Sequence, residues 1–128
     1  MTTITLRAKG SAPVEVAWLR YLRPSLWPTW SPPIRWVEIG AEQLEPGLRG
    51  VVHGPLGLRI PFLVTAVDNA ARTWTWHPRF GPVTLTLRHE VHAQLTGSST
   101  VLRISGLAPV VLGYAPVAQL ALNRLVRP

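Results

Sequence analysis

His89, Glu90 and His92 form the densest grouping of proton-carrying side chains in this sequence, and their spacing decides which of them can act together. They lie in VTLTLRHEVHAQL (83–95), where apolar and polar residues alternate strictly. A period of two is that of a strand with one face in water. Val83, Leu85, Leu87, His89, Val91, Ala93 and Leu95 then share one face, and Thr84, Thr86, Arg88, Glu90, His92 and Gln94 the other. His89 and His92 point to opposite sides and cannot share a metal ion, while Glu90 and His92 share the solvated side. That leaves His89 as an ionisable group on an otherwise apolar face. An imidazole there can transfer a proton, because it titrates near neutrality, or it can stay neutral and orient a ligand in an apolar pocket. The plainest alternative is a core histidine bonded to a neighbouring backbone or hydroxyl group.

Other chemistries have no support. The chain has no cysteine, which excludes disulfides, thiolate metal sites and thiol nucleophiles. There is no GxSxG elbow, phosphate loop or dinucleotide fingerprint. The six acidic residues offer no carboxylate pair in an apolar setting, so glycosidase-type chemistry is not expected. Neither a metal nor a cofactor is expected. The net charge is +7, but the twelve arginines are scattered from Arg7 to Arg127 without a run, so they read as solvated faces and no nucleic-acid partner is expected. Charged residues make up only 15% against about 25% in typical soluble domains. Some apolar surface is therefore free for an internal cavity, a partner or a lipid.

The elements that must position His89 follow from the rest of the text. TTITLRA (2–8) alternates and reads as a first strand. Ser11 or Ala12 can cap a helix with Pro13 in its first turn, and Val14, Ala17, Trp18, Tyr21 and Leu22 form its apolar stripe. Pro24 should stop this helix near Arg23. LWPTWSPPIRW (26–36) then holds three tryptophans and three prolines: one broken turn, with Pro32 and Pro33 sending the chain into a strand. From 34 to about 105, six strand-like runs alternate with turn signals such as Glu45-Pro46-Gly47 and Gly81-Pro82, the spacing of an antiparallel meander. A last helix over roughly 108–126 carries Val110, Tyr114, Val117, Ala121 and Leu125 on one stripe, widened by Ala118 and Leu122. Pro116 should kink it. This helix is too short and too interrupted to span a membrane, and MTTITLRAKG lacks a signal-peptide layout, so a cytoplasmic protein is expected. The expected whole is one domain over 1–128 of the α+β class, an antiparallel sheet with helices on one face. If seven strands curl around the last helix, a cavity can lie between helix and sheet.

That order resembles the START-like, or SRPBCC, superfamily of helix-grip proteins, which includes polyketide cyclases, lipid-transfer proteins and the birch-pollen-allergen group. The motifs carrying the resemblance are APVEVAW (12–18) at the opening of the first helix, LWPTWSPPI (26–34), PGLRG (46–50) entering a strand, and LRHEV (87–91) followed by GSSTVL (97–102). The resemblance implies a curved seven-stranded antiparallel sheet wrapped around a long C-terminal helix, with short helices between strands one and two. It also implies a small hydrophobic ligand or lipid between sheet and helix.

Within that frame the expected ligand contacts are Trp30, which matches the family's recurring tryptophan, with Phe62, Trp74, Trp76, His89, Tyr114, Val117 and Ala121. For several of these, ordinary core packing is the competing reading. Trp36 is expected on the same face as Ile34, and Trp27 is the tryptophan expected to be exposed or to meet a partner. The first functional reading is a non-catalytic ligand-binding domain. The second is a polyketide cyclase, aromatase or dehydratase with His89 and Tyr114 as acid–base groups. The third is an interaction module, a homodimer for instance, built on exposed aromatics near the opening segment.

Overall fold

The computed structural model describes residues 1–128. Strand β1 (Thr2–Gly10) does not pair with the strand that follows it in the chain. Its partner is β8 (Gly97–Gly106), antiparallel, with Ile4 opposite Ile104 and Leu6 opposite Leu102. Between them in sequence come β2 (Trp36–Ile39), β3 (Arg49–His53), β4 (Arg59–Asp68), β5 (Thr73–Phe80), β6 (Val83–Thr84) and β7 (Thr86–Gln94). The sheet order is β1-β8-β7-β5-β4-β3-β2, with the short β6 pairing β5 off this path. Strands one and two thus occupy opposite edges. The segment joining them crosses the open side of the sheet as helix α1 (Val14–Leu22), a 3-10 turn (Pro24–Leu26) and the single turn α2 (Trp27–Trp30). Helix α3 (Ala108–Leu125) fills the same side.

This is the expected α+β helix-grip architecture, seven strands in sequence plus one two-residue addition. The addition corrects the reading of 83–95 as one unbroken strand. The register itself is unbroken: Phe80 opposite Val83 and Arg79 opposite Thr84 continues Trp76 opposite Leu87. The ladder lapses at Leu85 because Pro78, opposite it, has no N–H to give, although its carbonyl accepts the Leu85 N–H at 2.9 Å. Strand parity holds through the core, where Leu85, Leu87, His89 and Val91 are buried. It fails to bury Ala93 and Leu95, because the hairpin runs past the edge of the core into solvent.

Helix α1 buries the stripe its sequence marks: Val14, Ala17, Trp18, Tyr21 and Leu22. Its start differs from expectation. Pro13 itself takes the N-cap position and no side chain caps the helix, so neither Ser11 nor Ala12 does so. Arg23 is extended before Pro24 and ends the helix where expected. The Arg20 guanidinium donates to the carbonyls of Leu125 and Arg127, both at 2.6 Å, tying α1 to the end of α3.

On α3 the buried residues are Val111, Ala118, Ala121, Leu122 and Leu125; the last four belong to the expected stripe, and Val111 was not in it. Val110 and Tyr114 are partly buried and Val117 is 39% exposed. The core is one cluster of 24 buried residues between α1, α2, α3 and the concave side of the sheet. A register shift between Val64 and Ala66 marks a bulge in β4, a device that bends a strand. Gly50 permits another close approach, since a Cβ there would stand 2.6 Å from Phe62 Cζ.

Candidate functional site

The segment of tryptophans and prolines has a specific task. A helix leaves its last four carbonyls without intrahelical partners. In α1, whose C-cap is Arg23, these are Arg20, Tyr21, Leu22 and Arg23, and all four are met. Leu26 N–H donates to Arg23 O at 2.9 Å and Leu44 N–H to Leu22 O at 2.8 Å. Trp30 Nε1–H donates to Arg20 O and Trp27 Nε1–H to Tyr21 O, each at 2.9 Å. Pro24 stops the helix, the chain doubles back through the 3-10 turn, and two indoles cap the helix they follow. Trp27 is therefore buried (1% exposed), not exposed as its setting suggested, and offers no surface to a partner. The exposed tryptophan is Trp36, whose ring stacks on His53 at 4.0 Å and 4°. It faces out because β2 begins only at Trp36, so Ile34 belongs to the preceding turn and not to its strand face.

Behind these indoles lies a packed aromatic group. Trp27 meets Phe62, Trp74 and Trp76 at ring-centroid distances of 5.7, 5.6 and 5.2 Å. Trp74 and His89 are register partners on β5 and β7, stacked at 4.6 Å and 10°. Tyr21 stands 4.7 Å from His89 and 5.6 Å from Trp74, so the three rings meet in a triangle. The Tyr21 hydroxyl donates to Thr100 Oγ1 at 2.6 Å, since Thr100 gives its own proton to Glu90 O at 2.9 Å.

Between this group and α3 lies a chamber in two adjacent parts that share wall residues. The inner part, about 30 Å³, is walled by Trp27, Trp30, Trp74, Trp76 and His89 on one side and by Tyr114, Ala118, Ala121 and Leu122 of α3 on the other. The outer part, about 70 Å³, lies among Pro33, Val52, Pro55, Leu58, Ile60, Phe80 and Val117. Ser31, Ile34, Trp76 and Tyr114 border both. The structure thus brings Trp30, Trp74, Trp76, His89, Tyr114 and Ala121 together around the inner part and places Val117 at the outer part. Phe62 lies on neither wall; it is buried against Trp27 and Trp76. Ser31, Ile34 and Leu58 were not singled out from sequence. They lie in turns or at a strand end, where no periodicity marks an inward side.

No charged side chain lines either part. His89, 4% exposed, accepts the Trp76 Nε1–H at Nε2 (3.0 Å), and burial pushes its pKa down to about 3. Burial pushes the Tyr114 hydroxyl up to about 12. Both groups are held in their neutral forms across the physiological range, so the chamber is polar at points and nowhere ionic.

The turn at the outer mouth is strained. Leu56 has φ 58° and is fully exposed, so its side chain gains nothing from packing in a region that penalises Cβ. Leu56→Asn should leave the fold intact and raise stability by up to ~1 kcal/mol in urea unfolding. A loss of stability would show that the leucine has a structural role.

An open antiparallel sheet gripping a C-terminal helix across an apolar chamber is the START-like, SRPBCC-type helix-grip fold, and the chain has it. Solved structures repeat it over nearly the whole chain. The di-domain aromatase/cyclase BexL of the BE-7585A biosynthetic pathway matches with a TM-score of 0.82 at 15% identity, over 98% of this chain and 45% of that one. Ara h 8.0201 matches with a TM-score of 0.74 at 15% identity, over 97% of both chains. Major latex-like protein 151 of Panax ginseng matches with a TM-score of 0.74 at 12% identity, over 94% of this chain and 91% of that one. No family model matches the chain, and no curated protein matches it by sequence. At such identities the likeness is one of fold. No helix is long and apolar enough to cross a membrane.

Proposed function

We propose that this chain holds a small hydrophobic molecule or lipid in the chamber between sheet and α3, and does so without converting it. The observation that carries the reading is a pair of adjacent, uncharged, largely apolar pockets that share Ser31, Ile34, Trp76 and Tyr114 as walls, one bordered by Pro33, Pro55 and Leu58 and the other by Trp74 and His89. Trp30, Trp74, Trp76, Tyr114 and Ala121 are its inner contacts and Val117 an outer one. The inner and outer volumes are far below the roughly 300–1,000 Å³ of drug-sized sites, so a ligand of that size has to spread the mouth. The mouth is built for this: Pro33–Ile34 and Gly54–Leu58 are turn segments flanking the sheet, and local opening there breaks few ladder bonds.

The alternative is a cyclase, aromatase or dehydratase-type enzyme using the same chamber, favoured by the fold likeness to BexL. Such an enzyme can work largely by holding a reactive chain in a productive shape. Its proton carriers would be His89 and Tyr114. An imidazole held near pKa 3 is a poor base at neutral pH, which speaks for binding over catalysis.

Native mass spectrometry of the purified protein should show one apolar molecule per chain, released by solvent extraction. The same preparation should leave a poly-β-keto mimic unchanged. Protein that emerges empty and takes up no apolar probe refutes the binding reading, and turnover lost in His89→Ala establishes the enzyme.

A further inference from the structure

At the closed end of the chamber two buried side chains keep a polar atom without a partner in the protein: Trp74 Nε1 and His89 Nδ1. Trp74 is 1% exposed, and both rings stand in the inner wall. Their hydrogens can be placed. An indole nitrogen is only ever a donor. His89 Nε2 accepts from Trp76, so the proton of the neutral imidazole sits on Nδ1. Both orphans are therefore N–H donors, carried by stacked rings on adjacent strands. Unpaired buried donors are costly and rare, and two of them on rings that line one chamber call for an acceptor from outside the protein.

The wall also says what kind. A hydrocarbon leaves both donors unmet. An ammonium group brings donors to donors. A carboxylate accepts, but it would bury a full charge in a chamber without a cation. An uncharged carbonyl has two lone pairs and no charge to desolvate. We propose that the inner chamber is the seat of a neutral carbonyl oxygen, of a ketone, aldehyde or ester, at the leading end of an apolar ligand, with Trp74 Nε1–H and His89 Nδ1–H as its donors. The inner part has room for that group and little more, so the body of the ligand lies in the outer part. The inference rests on the binding reading above and adds a choice among ligands: carbonyl compounds over acids, amines and hydrocarbons.

Four probes of one shape test it: cyclohexanone, its hydrocarbon isostere methylenecyclohexane, cyclohexanecarboxylate and cyclohexylamine. Each is titrated while a nitrogen–proton correlation spectrum follows the indole N–H signals, with Trp74 assigned by its loss in Trp74→Phe. Cyclohexanone should bind about tenfold tighter than each of the other three, the gain expected from hydrogen-bonding otherwise orphaned donors. It should move the Trp74 indole signal downfield, and methylenecyclohexane should not. The advantage should shrink in Trp74→Phe; if that variant does not fold, the wild-type affinities and shifts decide alone. Equal binding of the ketone and the hydrocarbon, with the Trp74 signal unmoved, means that water satisfies the donors; this overturns the carbonyl seat and leaves the binding reading standing. Tightest binding of the carboxylate or the amine overturns it as well. If none of the four binds, the binding reading fails and the carbonyl seat with it.

Discussion

Replacing Trp27 by alanine should cost about 3–5 kcal/mol of folding stability, the range for deleting a buried aromatic side chain. The indole is almost fully buried and touches Trp30, Phe62, Trp74 and Trp76, so its removal opens a void that four rigid neighbours cannot fill. It also leaves the Tyr21 carbonyl, at the buried end of α1, without its donor. Against the roughly 5–15 kcal/mol that holds a domain folded, such a loss lowers the melting temperature by about 10–20 °C. Trp36→Ala is the control: that ring is 52% exposed and its loss should cost under ~1 kcal/mol. Thermal and urea unfolding of both variants read the difference. A Trp27→Ala protein as stable as Trp36→Ala would mean that the indole neither fills the core nor caps the helix.

Acid should unfold this protein partly through one histidine. In the unfolded chain an imidazole takes up a proton near pH 6.5; in the folded chain burial delays this for His89 until about pH 3. Between those values the unfolded state binds the extra proton, so stability rises with pH. The contribution of His89 is fully present above pH 6.5 and is lost as pH falls towards 3. The full loss is on the order of 5 kcal/mol, at most about 1.4 kcal/mol per pH unit. His89→Phe should remove this dependence. Its absolute stability also changes, because Trp76 loses its acceptor, so the informative quantity is the slope. Urea unfolding from pH 7 to pH 4 should show the wild type losing more stability with acid than the variant. Parallel curves would mean that His89 is protonated in the folded protein.

Most of what positions the chamber was legible. The stripe on α1 is buried residue for residue. Strand parity alone put His89 on the inner face and His92 outside, and the order of elements led to the fold. The misreadings share a physical cause. On the first half of α3 the apolar residues nearly encircle the helix, so periodicity could not choose between Val110 with Val117 and Val111; packing buried Val111 beside the expected Ala118, Ala121, Leu122 and Leu125. Trp27 sits between prolines in irregular chain, where no period exists, and its burial depends on meeting a carbonyl of a helix already formed. Phe62 shares its face with core residues, and only the third dimension shows that Trp27 and Trp76 cover it. The orphan donors are tertiary facts of the same kind.

The two capping indoles have a mechanical consequence. Trp27 and Trp30 are at once chamber wall and plug for the open end of α1, so moving them outward strips two backbone carbonyls of their donors as well as breaking aromatic contacts. On that side the chamber is stiff. The opposite boundary, Pro33–Ile34 and the Gly54–Leu58 turn with its backward-bent leucine, carries no such double duty. Compliance is therefore unevenly shared: differences in ligand bulk are taken up at the mouth, while the closed end keeps its shape and can read one functional group with fixed geometry.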